Sequence, residues 1–267
     1  MSVELVEFTT LALQRQGGVL HVTLNRPAQR NAMSLAMVRE LRVVLAQAEM
    51  KGEVRVIVLR GAGGHFCAGA DVADLAMARA QLAQNPRAIE ETNAAFGELC
   101  GAYAATGLAL VALVEGACMG GGFGLACVAD VTLAAPSASF KLPETRLGLV
   151  PAQIVPFLVE RLGVAEARRL AVTGATLDAA TALQLRLVHG VGDVDALLAG
   201  TLADIQACAP GAIAATKALM AKARLQSPAS LVADAAVMFS RAALGAEGQE
   251  GTMAFLQKRK PSWAADT

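Results

Sequence analysis

Glu144 follows Pro143 within SFKLPETRLGLVPAQIVPF, residues 139–157, a stretch dominated by Leu, Val and Pro. A carboxyl desolvated in such surroundings has its pKa raised unless a cation pairs with it. A raised pKa suits a general acid or base working near neutrality. Two other local readings stand beside this one. Glu144 could stabilise the first turn of a helix that starts behind Pro143, or it could simply pair with Arg146.

Two glycine-rich stretches supply a second kind of chemistry: GAGGHFCAGAD, residues 61–71, and EGACMGGGFG, residues 115–124. Each follows a strand-like run and leads into a helical pattern. Glycine lets the chain turn sharply there, and the first N–H groups of a helix are unpaired donors at its positive end. Such junctions bind an anion or a developing oxyanion, although each alone reads equally as a tight turn. Neither contains GxxxxGK[ST], and GxGxxG is absent in register, so nucleotide-triphosphate and dinucleotide cradles are not supported. One N–H from each junction could instead converge on a single carbonyl oxygen, which is the geometry of an oxyanion hole.

The surrounding elements must bring these three stretches together. Leu11–Gln16 and Val19–Leu24 alternate around Gly17 and Gly18 and predict a hairpin. Ser34 to Met50 carries apolar residues at Leu35, Val38, Leu41, Leu45 and Ala48, a helical period with Ser34 as N-cap. VRVIVLRG, residues 54–61, predicts a strand. The order then recurs: a helix from about Arg87 to Ala105, the strand LALVALVEG, the helix opened by the glycines, and the strand DVTLAA. Recurring strand-strand-helix units with apolar strands predict an α/β core with helix-covered sheets. From about Val194 the strand patterns stop and four helical segments follow. The predicted organisation is a core over residues 1–193 carrying the site, and a helical region over residues 194–267. The segment LAMARAQLAQNPRA, residues 75–88, reads either as an ordered helix or as a lid.

Composition narrows the partners. The 267 residues are 55% hydrophobic and 17% charged, with 23 basic residues against 23 acidic ones. A neutral chain offers no field for nucleic acid or an anionic membrane surface, so a small-molecule ligand is expected. The five cysteines lack CxxC spacing and sit mostly in apolar runs, as reduced core residues of a cytoplasmic protein do. His21, His65 and His189 are scattered, so no metal site is expected. MSVELVEFTT has neither a secretory nor a transit character. The apolar run Gly107 to Ala135 contains Glu115, Asp130 and the glycines, and reads as a buried strand and helix, not a membrane span.

Five ordered blocks resemble the crotonase, or enoyl-CoA hydratase/isomerase, superfamily: LNRPAQRNAMS (24–34), HFCAGADVADL (65–75), VEGACMGGGFGLACVADVTLAA (114–135), FKLPETRLGLVP (140–151) and EGTMAFLQKRKPSW (250–263). The resemblance implies a superhelix of repeated ββα units with a C-terminal helical trimerisation region, in trimers or hexamers that are dimers of trimers. It implies an acyl-CoA substrate, with coenzyme A entering as part of the thioester and no separate cofactor. The thioester oxygen would accept the N–H groups of Ala70 and Gly121, and Glu144 would be the acid/base. Arg30, Ala68, Asp71 and Val72 lie where the family wraps coenzyme A. Phe255 and Lys258 match positions that approach its adenine or phosphates, from the same or a neighbouring subunit.

Two departures from the family pattern bear on the reaction. Hydratases of the family hold water between two glutamates, and the second belongs at Gly124, where this chain has no side chain. A single glutamate is also what the family's Δ3,Δ2-enoyl-CoA isomerases use. The familiar PGAGG after the catalytic glutamate is replaced by PAQIVP, residues 151–156. Together the blocks look most like the family's isohexenylglutaconyl-CoA and methylglutaconyl-CoA hydratases. In that reading Gly124 widens the pocket for a branched chain, and Gln153 or the substrate's own carboxylate orients the water. A Δ3,Δ2-isomerase is the alternative, and a non-catalytic acyl-CoA-binding protein is the alternative of another class.

Overall fold

The computed structural model describes residues 8–264; residues 1–7 of the N-terminal stretch read above for targeting lie outside the described residues. Leu11–Gln16 (β1) and Val19–Leu24 (β2) form the predicted antiparallel hairpin, with Leu11 opposite Leu24 and Gly17 turning at φ 55. Leu35–Lys51 (α1) follows. Ser34 Oγ accepts the Met37 N–H at 3.2 Å, and Gly52 ends the helix at φ 63. Its buried face is Met37, Val38, Leu41, Val44, Leu45 and Ala48: four residues of the predicted stripe, widened by Met37 and Val44, with Leu35 only half-buried.

The chain continues through Val56–Gly61 (β3), Val72–Ala80 (α2), Ala88–Ala105 (α3), Ala109–Val114 (β4), Ala117–Met119 (β5) and Gly121–Val128 (α4). Then come Val131–Ala134 (β6), Ser139–Lys141 (β7), Val155–Thr173 (α5), Thr176–Asp178 (β8), Ala179–Gln184 (α6) and Gly190–Val191 (β9). A six-stranded sheet runs β1-β2-β3-β4-β6-β9, and a three-stranded sheet runs β5-β7-β8. In the units β4-β5-α4 and β6-β7-α5 the first strand enters the large sheet and the second enters the small one. Each such pair lies parallel to its counterpart, β4 on β6 and β5 on β7. Cys67 joins the small sheet by a single bridge to Cys118, a shortened strand of the same repeat. This is the repeated ββα architecture that the sequence predicts.

Every residue of β4 is buried, which explains why it reads as an unbroken apolar run. The eight residues of α4 are buried on all sides as well. Arg161 caps the end of α4 by donating to the carbonyls of Cys127 and Ala129, and Asp130 accepts the Leu110 N–H at 2.7 Å. Polar groups around this helix are therefore spent on the backbone.

By compactness the chain divides into two units, one built from the residues up to Ala104 with Leu110–Leu197, the other from Ala105–Ala109 with Leu198–Thr267. The second is helical: Val194–Ala207 (α7) leads into it, and Pro210–Ala223 (α8), Pro228–Leu244 (α9) and Ala246–Leu256 (α10) form it. Lys217 donates to the Leu108 carbonyl at 2.7 Å, which ties the 105–109 segment to α8. No single helix among the described residues is long and apolar enough to cross a membrane.

Candidate active site

A cavity of about 320 Å³ opens in the first unit, and Ala70, Gly121 and Glu144 all line it. Ile89, Thr92, Asn93 and Phe96 of α3 form one side, and the loop Leu149–Ile154 forms another. The lining is largely apolar, as small-molecule sites are.

Glu144 begins a short 3₁₀ turn behind Pro143, and Gly148 closes the turn in the left-handed region at φ 70. Burial pushes its carboxyl above the usual carboxylate range, against a smaller opposing effect from its own backbone N–H. Its Oε2 is buried and has no hydrogen-bond partner. Arg146 does not partner this oxygen; its guanidinium donates to the Thr173 carbonyl at 3.3 Å. A half-buried carboxyl with one oxygen unpartnered, lining an apolar cavity, is chemically able to take up and release a proton.

The two glycine loops supply donors to the same cavity. Met33 N donates to Gly69 O at 2.7 Å and Asp71 N donates to Met33 O at 3.0 Å, which leaves the Ala70 N–H between them without an acceptor. Gly121 is the first residue of α4, and no side chain caps that end. Both N–H groups are thus uncommitted among the described residues, in loops held by backbone bonds such as Cys67 N to Ala117 O at 2.9 Å and Met119 N to Cys67 O at 2.8 Å.

Gly120 joins the donors to the acid. It has φ 48 and ψ −116, and a Cβ there would lie 2.7 Å from Glu144 Oε1 and 3.3 Å from Gly69 Cα. The absent side chain leaves room for the carboxyl and lets the two loops approach. Gly122 does the same for Cys67, whose Cβ would be 2.6 Å from a Cβ at 122.

Against known proteins, the family model for enoyl-CoA hydratase/isomerase matches residues 14–266. The chain belongs to the enoyl-CoA hydratase/isomerase family. It is an enzyme of that family, and its substrate is an acyl-CoA thioester. AtuE of Pseudomonas aeruginosa is 55% identical with a TM-score of 0.91, covering 96% of this chain and 99% of its own. An enoyl-CoA hydratase/isomerase from Marinobacter aquaeolei is 48% identical with a TM-score of 0.92, over 96% and 99% of the two chains. The 2,3-dehydroadipyl-CoA hydratase of Escherichia coli is 32% identical, over 95% of this chain and 98% of its own.

Within the family site, Asp71 and Gln153 also line the cavity. Burial works to raise the Asp71 pKa, but the Arg26 guanidinium 2.8 Å away and the Ala73 N–H outweigh it and hold the carboxyl below its ordinary value. Arg26 also donates to Ala32 O at 2.7 Å, so this pair fixes the residue next to Ala70. Ala68 donates to Arg30 O at 2.9 Å, and Arg30 has φ 48. Val72 is 75% exposed at the start of α2. Phe255, 82% exposed, lies near the end of α10, and Lys258 follows at φ 53 in the helical unit. Arg259 beside it is held by both oxygens of Glu250.

Gly124 lies behind the cavity wall. It does not line the cavity, and a Cβ there would be 3.2 Å from Phe96 Cζ and 3.3 Å from Ile154 Cγ1. The room left by the missing side chain is taken up by Phe96 and Ile154, which themselves form the cavity wall. Asn31 is a residue that local reading does not single out. It is fully buried, accepts the Arg26 N–H, and donates to the carbonyls of Ala62 at 2.8 Å and His65 at 2.7 Å. It fastens the first glycine loop, and the signal for it is an Asn at φ 56, a conformation Asn tolerates better than most residues.

Proposed function

We propose that this enzyme adds water across the 2,3 double bond of an enoyl-CoA thioester whose acyl chain is of the branched glutaconyl type. The observation that carries the reading is Glu144, with Oε2 buried and unpaired, sharing one cavity with the uncommitted N–H groups of Ala70 and Gly121. The thioester oxygen would accept both N–H groups and gain charge as water adds at C3, the stage at which such donors act most strongly. Glu144, protonated more readily than an ordinary carboxyl, would deliver the proton to C2 and recover one from the added water. Coenzyme A arrives as part of the substrate, and no other group is required. The E. coli relative's name, 2,3-dehydroadipyl-CoA hydratase, supports an acyl chain with a second carboxylate.

The buried, unpaired cysteines support a cytoplasmic setting. Exposed Phe239, Leu244, Phe255 and Leu256 support assembly through the helical unit, as a trimer or a dimer of trimers. Isomerisation between 3-enoyl and 2-enoyl thioesters is a second reading, favoured by Gly124 in place of a second carboxylate. Incubation in heavy water with 2-enoyl-, 3-enoyl- and 3-methylglutaconyl-CoA, followed by mass spectrometry, separates the cases. Hydration adds the mass of one deuterated water; isomerisation exchanges hydrogen without that gain; binding with no turnover would sink both enzymatic readings.

A further inference from the structure

Most polar side chains that line the cavity are already committed to the protein. Asp71 faces Arg26, Asp74 Oδ2 accepts the Leu35 N–H at 2.6 Å, and Thr92 Oγ1 donates to Ala88 O at 2.8 Å. Besides Glu144, the exceptions are Asn93 and Gln153. Gln153 Nε2 donates to Asn93 Oδ1 at 2.9 Å, so the Asn93 amide keeps both of its Nδ2 hydrogens and Gln153 keeps one. Asn93 Nδ2 donates to no protein group among the described residues.

Gly97 sets the geometry of this pair. It lies one turn beyond Asn93, within the eighteen-residue helix α3, where glycine is the least favourable residue short of proline. A methyl at position 97 would collide with Gln153 Oε1 and stand 2.6 Å from its Cδ. The bare Cα lets the amide lie across the helix and reach Asn93. It also seats Oε1 against the helix at position 97. The pair keeps three N–H hydrogens, two on Asn93 and one on Gln153, and both residues line the cavity.

We propose that the Asn93–Gln153 pair, seated on Gly97, is the subsite that takes the free carboxylate of a dicarboxylic acyl chain. A carboxylate accepts only, and so suits the three N–H hydrogens that the pair keeps. The lining contains no Lys, Arg or His, so amide N–H groups are the donors that its side chains offer to such an anion. Hydrogen bonds to an ionised acceptor are the stronger kind. This inference deepens the functional reading above and rests on its acyl-CoA substrate.

The test uses saturated thioesters, so that it does not depend on turnover. Calorimetric titration of the full chain with glutaryl-CoA and pentanoyl-CoA, which share a five-carbon acyl chain, gives the ratio of their affinities. Asn93→Ala should lower the glutaryl preference at least fivefold. Asn93→Asp, which keeps the shape and replaces donors with an anion, should lower it at least as much. A smaller change in either variant overturns the proposal. Gly97→Ala, with Asn93 intact, should lower the preference similarly if it folds; the Asn93 variants decide the matter if it does not. Failure of hydration with an intact affinity contrast would condemn the catalytic reading alone.

Discussion

Gly120→Ala tests whether the first glycine of the run exists to admit Glu144. At φ 48 and ψ −116 an L-residue is strained, and a neighbouring methyl contact at 2.7 Å from Glu144 Oε1 cannot persist. The other near atom, Gly69 Cα at 3.3 Å, belongs to the loop that presents Ala70 and is fixed by backbone bonds. The carboxyl is the softer partner and should move. Backbone strain and overpacking are each typically worth about 1–3 kcal/mol, and one relaxation relieves part of both, so a loss of about 2–4 kcal/mol is expected. Positioned acid–base groups contribute roughly 10²- to 10⁴-fold, so kcat should fall about a hundredfold or more while KM changes little.

Urea denaturation and steady-state hydration measure the two effects separately. Gly121→Ala is the control for stability, because a Cβ there would be 3.4 Å from the Phe96 ring, an ordinary contact; its stability should stay within about 1 kcal/mol of the parent. A folded Gly120→Ala protein with parental stability and parental kcat would refute the argument that the glycine makes room for the acid.

Two further predictions concern carboxylates. Glu144→Gln should lower kcat roughly 10²- to 10⁴-fold and should also stabilise the protein at neutral pH. Burial raises the folded pKa of Glu144, so its contribution to stability is full below the ordinary carboxylate range and is lost as pH rises through the raised value. The melting-temperature difference between variant and parent should therefore grow from pH 4 toward pH 8; a flat difference would contradict the assignment. Gly124→Glu should destabilise by about 3 kcal/mol, since it buries an unpaired carboxyl and pushes on Phe96 and Ile154. Combined with Phe96→Ala it should cost less than the sum of the two single changes, with a coupling of roughly 0.5–3 kcal/mol. Additive losses would show that Phe96 does not fill the space at 124.

Elements with several turns or a full alternation were readable because their signals are local. The hairpin 11–24 and the helix capped by Ser34 follow the pattern within a residue, and the four helical segments expected from about Val194 are α7 to α10. The three-stranded sheet was not readable, because β5, β7 and β8 hold three residues each. No alternation can show itself in three residues, and what defines them is the pairing of Cys118 with Phe140 and of Phe140 with Leu177. For the same reason nothing local marks Arg26 and Asn31, since the Asp71, Ala62 and His65 groups they hold lie 31 to 45 positions away.

The glycine run shows where local reading stops. Gly121 could be singled out as an N–H donor, because a donor at a helix start follows from backbone geometry alone. Gly120 and Gly124 matter through the side chains they lack, and the meaning of a missing side chain depends on what fills its place. At 120 the space holds the Glu144 carboxyl; at 124 it holds Phe96 and Ile154. Both glycines are identical in the sequence, yet one makes room for the acid and the other for an apolar wall. The absence of a second carboxylate at 124 therefore does not leave an opening for water, and the polar contacts available to an acyl chain must come from elsewhere on the wall. Asn93 and Gln153, bonded to each other, keep N–H donors on that wall, which makes the glycine at 97 a position from which substrate choice should be changed.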